Sequence, residues 1–335
     1  MKKQDKKIYV ALMNRIAVAM MLNQLLILTL SALLNGFEYL LAASGADATF
    51  ADVAVRTGEC IVYFLSFVLP VWVFHKMTKG ADREIYEPVD GGKRFSVLYG
   101  FFGIGVGLGV TVLAASVNYT LVNLFFDYSD FSEEFLWAIE LDEPYQAVIY
   151  FCYCAIIPAV VEELLFRKTL CDSLKVYGRG TVIVVSATLF ALMHANAEQI
   201  IYTFVAGLAM AWIYVETENL AFPILLHFIN NGIGAVGDII YEMGSPAAYS
   251  RFASFSELAT WVFAAISLCA FLVRIYRRGG VGVYKLELKP DENGEPVFPL
   301  SVAERVSGFF SAGMIIFVLF SFFTMAYYLY LSTIV

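Results

Sequence analysis

The sequence predicts an all-α fold, a polytopic transmembrane helical bundle of about nine spans, eight being possible, with the N-terminus inside. Three observations carry that prediction. The chain is 60% hydrophobic and only 16% charged, far from the roughly half-apolar, quarter-charged balance of soluble domains. Its apolar residues gather in runs near the ~20 residues that cross a hydrocarbon core. Of the 22 lysines and arginines, 20 fall in alternate connecting segments, the asymmetry that orients helices in a membrane.

The runs occur in order at about 16–42, 58–75, 96–126, 146–170, 180–195, 199–216, 220–242, 257–276 and 308–332. The first follows a basic start, Met1 to Lys7, but it is longer than the ~7–15 residues of a signal-peptide core, so it is expected to stay as a span. In the third, Gly103, Gly105, Gly107 and Gly109 form small-x-x-x-small pairs that let helices approach closely in lipid. The fifth is short and ends at His194, and the sixth follows at once, so a broken or re-entrant turn is an open alternative there. With the N-terminus inside, only Arg56 and Arg251 lie on the outer side, and the outer segment 127–143 is acidic. The inner loop 279–304 contains two apolar stretches, 281–288 and 297–300, around Asp291 to Gly294, a pattern for a small hairpin. The organisation that follows is three parts: 1–145 with spans 1–3 and the acidic segment, 146–245 with spans 4–7, and 246–335 with spans 8–9 and the inner loop.

Composition also bounds partners. No basic stripe suited to nucleic acid is present, so the expected partners are a lipid bilayer, in the plasma or cytoplasmic membrane, and whatever the bundle acts on. The five cysteines sit in or at the ends of apolar runs without Cys-x-x-Cys spacing and read as reduced packing residues.

Charged groups are costly inside a bilayer, so those within spans are functional candidates. The fourth span contains Glu162, Glu163 and Arg167. Glu163 and Arg167 are four residues apart with the acid first, the helical spacing of an ion pair. Glu162 points about 100° away and is left for chemistry. Two of the three histidines fall inside spans: His194, four residues after Phe190, and His227, four before Asn231. A lone intramembrane histidine is as simply explained by a helix-to-helix hydrogen bond. A shared site is favoured because Glu162 and His194 are each 16 residues from a turn at Gly178, hence at one depth, about 24 Å away at ~1.5 Å per residue. Asp238 shares the helix face of Asn231 and is a candidate for the cavity wall, but it lies near the outer end, where solvation is the expected outcome.

A carboxylate in a dry pocket holds protons more tightly, so Glu162 can take a proton from water and pass it to a leaving amine, with His194 orienting the water. His227 and the Asn231 amide suit an oxyanion. Alternatively, Glu162, His194 and His227 make an open three-ligand metal site. Residue types alone leave both open.

At these residues the chain resembles the CAAX endopeptidase and bacteriocin-processing intramembrane proteases, also called the Abi family. The pattern is Glu162-Glu163…Arg167, then Phe190…His194, then His227…Asn231, three ordered motifs within residues 146–240. The resemblance implies a membrane endopeptidase cutting near the C-terminus of a peptide or membrane-tethered protein. By position, Glu162 and His194 would activate water, His227 and Asn231 would hold the oxyanion, and Glu163, Arg167 and Phe190 would support them. The family has been described both as metal-dependent and as metal-free. No cofactor is favoured here, because Asn231 is a natural hydrogen-bond donor and a poor zinc ligand; Zn2+ or another divalent metal is the alternative. Competing readings are a transporter or proton relay, since buried Glu and His also mark ion paths, and a catalytically silent immunity or binding protein of the same fold.

Overall fold

The computed structural model describes residues 2–79, 97–125, 141–196, 199–278 and 300–334. The acidic segment up to residue 140, the loop after residue 79 and the hairpin expected within 279–304 lie outside the described residues. All of the described regular structure is helical. The chain is a multi-pass membrane protein.

Helix α1 (Lys2–Ser44) and helix α2 (Ala48–Thr78) form a hairpin. Its turn needs Gly45, whose φ of 71° suits a residue without Cβ, and Asp47 caps α2 by accepting a 2.9 Å bond from the Phe50 amide. Helix α3 (Val97–Phe125) is the glycine-rich span. Helix α4 (Pro144–Tyr177) begins where the Gln146 side chain accepts from the Asp142 and Glu143 amides at 2.8 and 3.0 Å. Helices α5 (Arg179–His194), α6 (Ile200–Thr217), α7 (Ala221–Met243) and α8 (Pro246–Arg278) follow, then a short α9 (Val302–Phe309) and α10 (Ala312–Ile334).

Each of the nine apolar runs falls on a helix. Seven helices, α1–α4 and α6–α8, are long and apolar enough to cross a membrane, and α9 with α10 make an eighth bent by 61°. The fifth run is the exception. Helix α5 has 16 residues, about 24 Å at ~1.5 Å each, short of a hydrocarbon core about 30 Å thick. It stops at Ala195, which takes the left-handed conformation at φ 47° directly after His194. A span broken at that point places the histidine at a helix end within the bundle.

The glycines of α3 let three helices close on it. A Cβ on Gly107 would stand 2.7 Å from Leu226 Cδ2 of α7, and one on Gly109 would stand 2.6 Å from the Ala264 Cβ of α8. Lipid tails are as apolar as side chains, so such close packing, rather than exclusion from water, holds spans together. On the far side α1 packs against α2, α9 and α10. Its polar residues reach backbone there: Asn23 Nδ2 donates to the Ser66 carbonyl at 2.8 Å, and Asn14 Oδ1 accepts from the Gly313 amide at 2.8 Å.

The two ends of the bundle are fixed differently. At one end, Tyr145 and Gln146 of α4 donate to Asp52 of α2 at 2.8 and 3.1 Å, and Asn118 of α3 accepts from the Ile201 amide of α6 at 3.2 Å. At the other, Lys175 pairs with Asp172 at 2.9 Å, Arg179 pairs with buried Glu216, and Arg305 donates to the Tyr177 carbonyl. The α4–α5 hairpin turns at Gly178, φ 94°, as the spacing predicts.

Candidate active site

Helix α4 is not uniform. An α-helical stretch, Ile157–Glu163, sits between two wider π-helical stretches, Cys152–Ile156 and Leu164–Cys171, and the paired glutamates end the α-helical part. Neighbouring residues on an α-helix diverge by about 100°, so the two carboxylates meet different surroundings. Both are buried.

Glu163 faces α7. Its Oε2 lies 3.1 Å from Arg167 Nε, the predicted ion pair, and its Oε1 lies 2.9 Å from Nδ1 of His227. The Arg167 guanidinium is wholly buried, donates to the Gly207 carbonyl of α6 at 3.4 Å, and stacks 4.8 Å from the centre of the Phe190 ring of α5. Gly207 is required there, since a Cβ would stand 3.0 Å from Ala187 Cα and 3.3 Å from Phe190 Cδ1. One buried anion thus ties four helices together. Removing the cation from such a pair costs about 3–5 kcal/mol, because the remaining charge is left unmatched in a dry interior.

Glu162 faces α2. The Tyr63 hydroxyl donates to its Oε1, while Oε2 is buried without a hydrogen-bond partner. Tyr63 is held by Phe67 and Tyr153, with ring centres 5.0 and 5.5 Å away.

His194 ends α5 with Nδ1 2.7 Å from the Phe190 carbonyl one turn earlier. A carbonyl only accepts, so Nδ1 carries the hydrogen and, in the neutral ring, Nε2 carries the lone pair. The Phe190 ring lies 4.8 Å from the His194 ring and 5.9 Å from that of His227, standing as a spacer between the two imidazoles. Asn231, one turn beyond His227, donates through Nδ2 to the Cys154 carbonyl at 3.0 Å. That carbonyl needs a donor because Pro158, four residues later, has no N–H to offer it. Asn231 Oδ1 accepts from Asn230 Nδ2 at 3.2 Å, and Asn230 Nδ2 also meets the Tyr202 hydroxyl.

These groups border a cavity of about 330 Å³ lined by Phe190, His194, Tyr202, His227, Asn231 and Asp238 among others. Glu162 does not line it and stays on the α2 side of α4. The structure therefore brings Phe190, His194, His227 and Asn231 to one cavity, with Glu163 and Arg167 directly behind His227, and sets Glu162 on the adjoining face. Asp238 corrects its expected solvation: it is half-buried on the cavity wall and accepts a 2.8 Å bond from Tyr150. Among the described residues no three His, Cys, Asp or Glu side chains cluster closely enough to hold a metal ion. Of the alternative metal set Glu162, His194 and His227, Glu162 is engaged by Tyr63 and His227 by Glu163.

Residues 144–233, which carry all seven motif positions, match the family model described as type II CAAX prenyl endopeptidase Rce1-like. This core is similar to the CAAX endopeptidases. A curated relative is the membrane-embedded CAAX protease MroQ of Staphylococcus aureus (strain USA300), 31% identical over 110 residues, which are 31% of this chain and 43% of that protein. The chain thus spans less than half the length of the curated relative it matches. No solved structure matches significantly. Around the site, Tyr63, Tyr202, Asn230 and Tyr150 are residues that motif reading missed. Asn230 had one visible signal, its place beside Asn231 inside a span; Tyr63, 99 residues from Glu162, had none.

Proposed function

We propose that the protein is an intramembrane endopeptidase that hydrolyses a peptide bond near the C-terminus of a peptide or membrane-tethered protein. It works in the plasma or cytoplasmic membrane with its N-terminus inside. In this reading water adds to the carbonyl carbon while His194 Nε2 accepts its hydrogen bond. Glu162, turning its carboxylate from Tyr63 toward the cavity, takes up the proton and delivers it to the leaving amine as the C–N bond breaks. The unpartnered Glu162 Oε2 supports that role, because it is a buried acceptor open to a proton or a donor.

The oxyanion falls to His227 and Asn231. With Nδ1 bonded to the Glu163 carboxylate, the His227 ring is oriented so that Nε2 is left for the oxyanion, to which it donates when the ring carries both hydrogens. Asn231 spends one Nδ2 hydrogen on Cys154 and retains the other. The observation that carries the proposal is the Arg167–Glu163–His227 relay behind a cavity that His194 and Asn231 also line. The family match and the printed name of the curated relative support it.

The test is peptide cleavage by purified Glu162→Gln and His194→Ala chains. Each is expected to lose about 10²–10⁴-fold in rate, the usual share of a positioned acid or base, while its thermal unfolding stays within a few degrees of wild type. Wild-type cleavage by either variant overturns the assignment.

A further inference from the structure

Apart from its two imidazoles, the cavity wall carries charge of one sign. Of the lining residues Asp238 is the one carboxylate, and none is lysine or arginine. Asp238 Oδ2 accepts from the Tyr150 hydroxyl at 2.8 Å, and among the described residues no cation pairs with this carboxylate. An ionisable side chain facing a cavity inside a membrane protein, matched only by a phenol, asks for a cation from the ligand.

Its position sets the reach. Asp238 follows Asn231 by two helical turns, so the two lie about 10 Å apart along α7 at ~1.5 Å per residue. An extended substrate covers that span in about three residues at ~3.3 Å each. We propose that Asp238 is a specificity-determining residue, holding a lysine, arginine or free amino group of the substrate about three residues from the scissile bond. The same carboxylate selects against an acidic side chain at that place. This inference rests on the endopeptidase reading and names the substrate chemistry of that site.

The experiment uses the full chain in lipid nanodiscs and fluorogenic peptides carrying lysine, norleucine or glutamate at each of four positions on either side of the cut. At one position near the third, wild type is expected to favour lysine over norleucine by about tenfold in kcat/KM, with glutamate poorest. Asp238→Asn should bring the lysine-to-norleucine ratio close to one, and Asp238→Glu should retain most of it. An unchanged ratio in Asp238→Asn overturns the inference. Should that variant not fold, the wild-type series decides, since equal cleavage of all three peptides at every position also overturns it. A Glu162→Gln control separates the two levels: cleavage that persists in it sinks the endopeptidase reading, whereas Glu162-dependent cleavage with a flat lysine ratio sinks only the role of Asp238. A wild-type chain that cuts none of the peptides takes down both.

Discussion

The two flanks of α4 treat adjacent, identical side chains in opposite ways. On the α5–α7 flank, Glu163 is matched by a guanidinium and an imidazole, with an aromatic ring stacked behind them. On the α2 flank, Glu162 meets a single phenol and keeps one oxygen unpartnered. Pairing with a cation fixes a charge in place and makes it structural. A carboxylate that meets no cation stays open to a reaction. Residue type is the same on both flanks, so function is assigned by what the neighbouring helices present.

The sharpest way to break this contrast is Glu162→Gln, expected to lower the cleavage rate by about 10²–10⁴-fold with little change in unfolding temperature. If Glu163→Gln at matched stability cost more rate than Glu162→Gln, the two roles would be reversed. Next is Arg167→Ala, expected to destabilise the protein by about 3–5 kcal/mol in detergent-phase unfolding, because Glu163 then keeps a buried charge with no cation. The paired change Arg167→Met with Glu163→Gln should recover much of that loss. Asn231→Ala is expected to lower kcat by about 10²–10³-fold, with a small loss of stability from the freed Cys154 carbonyl. Smallest is Tyr63→Phe, which removes one hydrogen bond worth about 0.5–1.5 kcal/mol and should change the rate by about tenfold at most. A larger rate effect there would mean that the phenol takes part in proton transfer rather than positioning Glu162.

What could be read from the sequence was whatever lies within one helix. The Glu163–Arg167 pair and the stacking of Phe190 on His194 follow from four-residue spacing, and the structure has both. Apolar runs located the helices, and the shortness of the run at 180–195 is matched by α5, which ends beside a left-handed residue. Contacts between helices were not legible in the same way. The His227–Glu163 bond joins residues 64 apart and the Tyr63–Glu162 bond residues 99 apart, and no periodicity encodes either. One such contact did leave a trace: Pro158 announces a carbonyl short of a donor, though not that Asn231 supplies it. Asp238 was misjudged because nearness to a span's end says nothing of what another helix brings alongside it, here Tyr150.

The widened turns on either side of the glutamates give α4 something like slack in a cable. A π-type turn absorbs one surplus residue while the helix beyond it keeps its facing. Single-residue deletions within Cys152–Ile156 should therefore be tolerated, the coil drawing tight without swivelling the glutamates. The same deletion within Ile157–Glu163 has no reserve to draw on and would hand each carboxylate to the wrong neighbour.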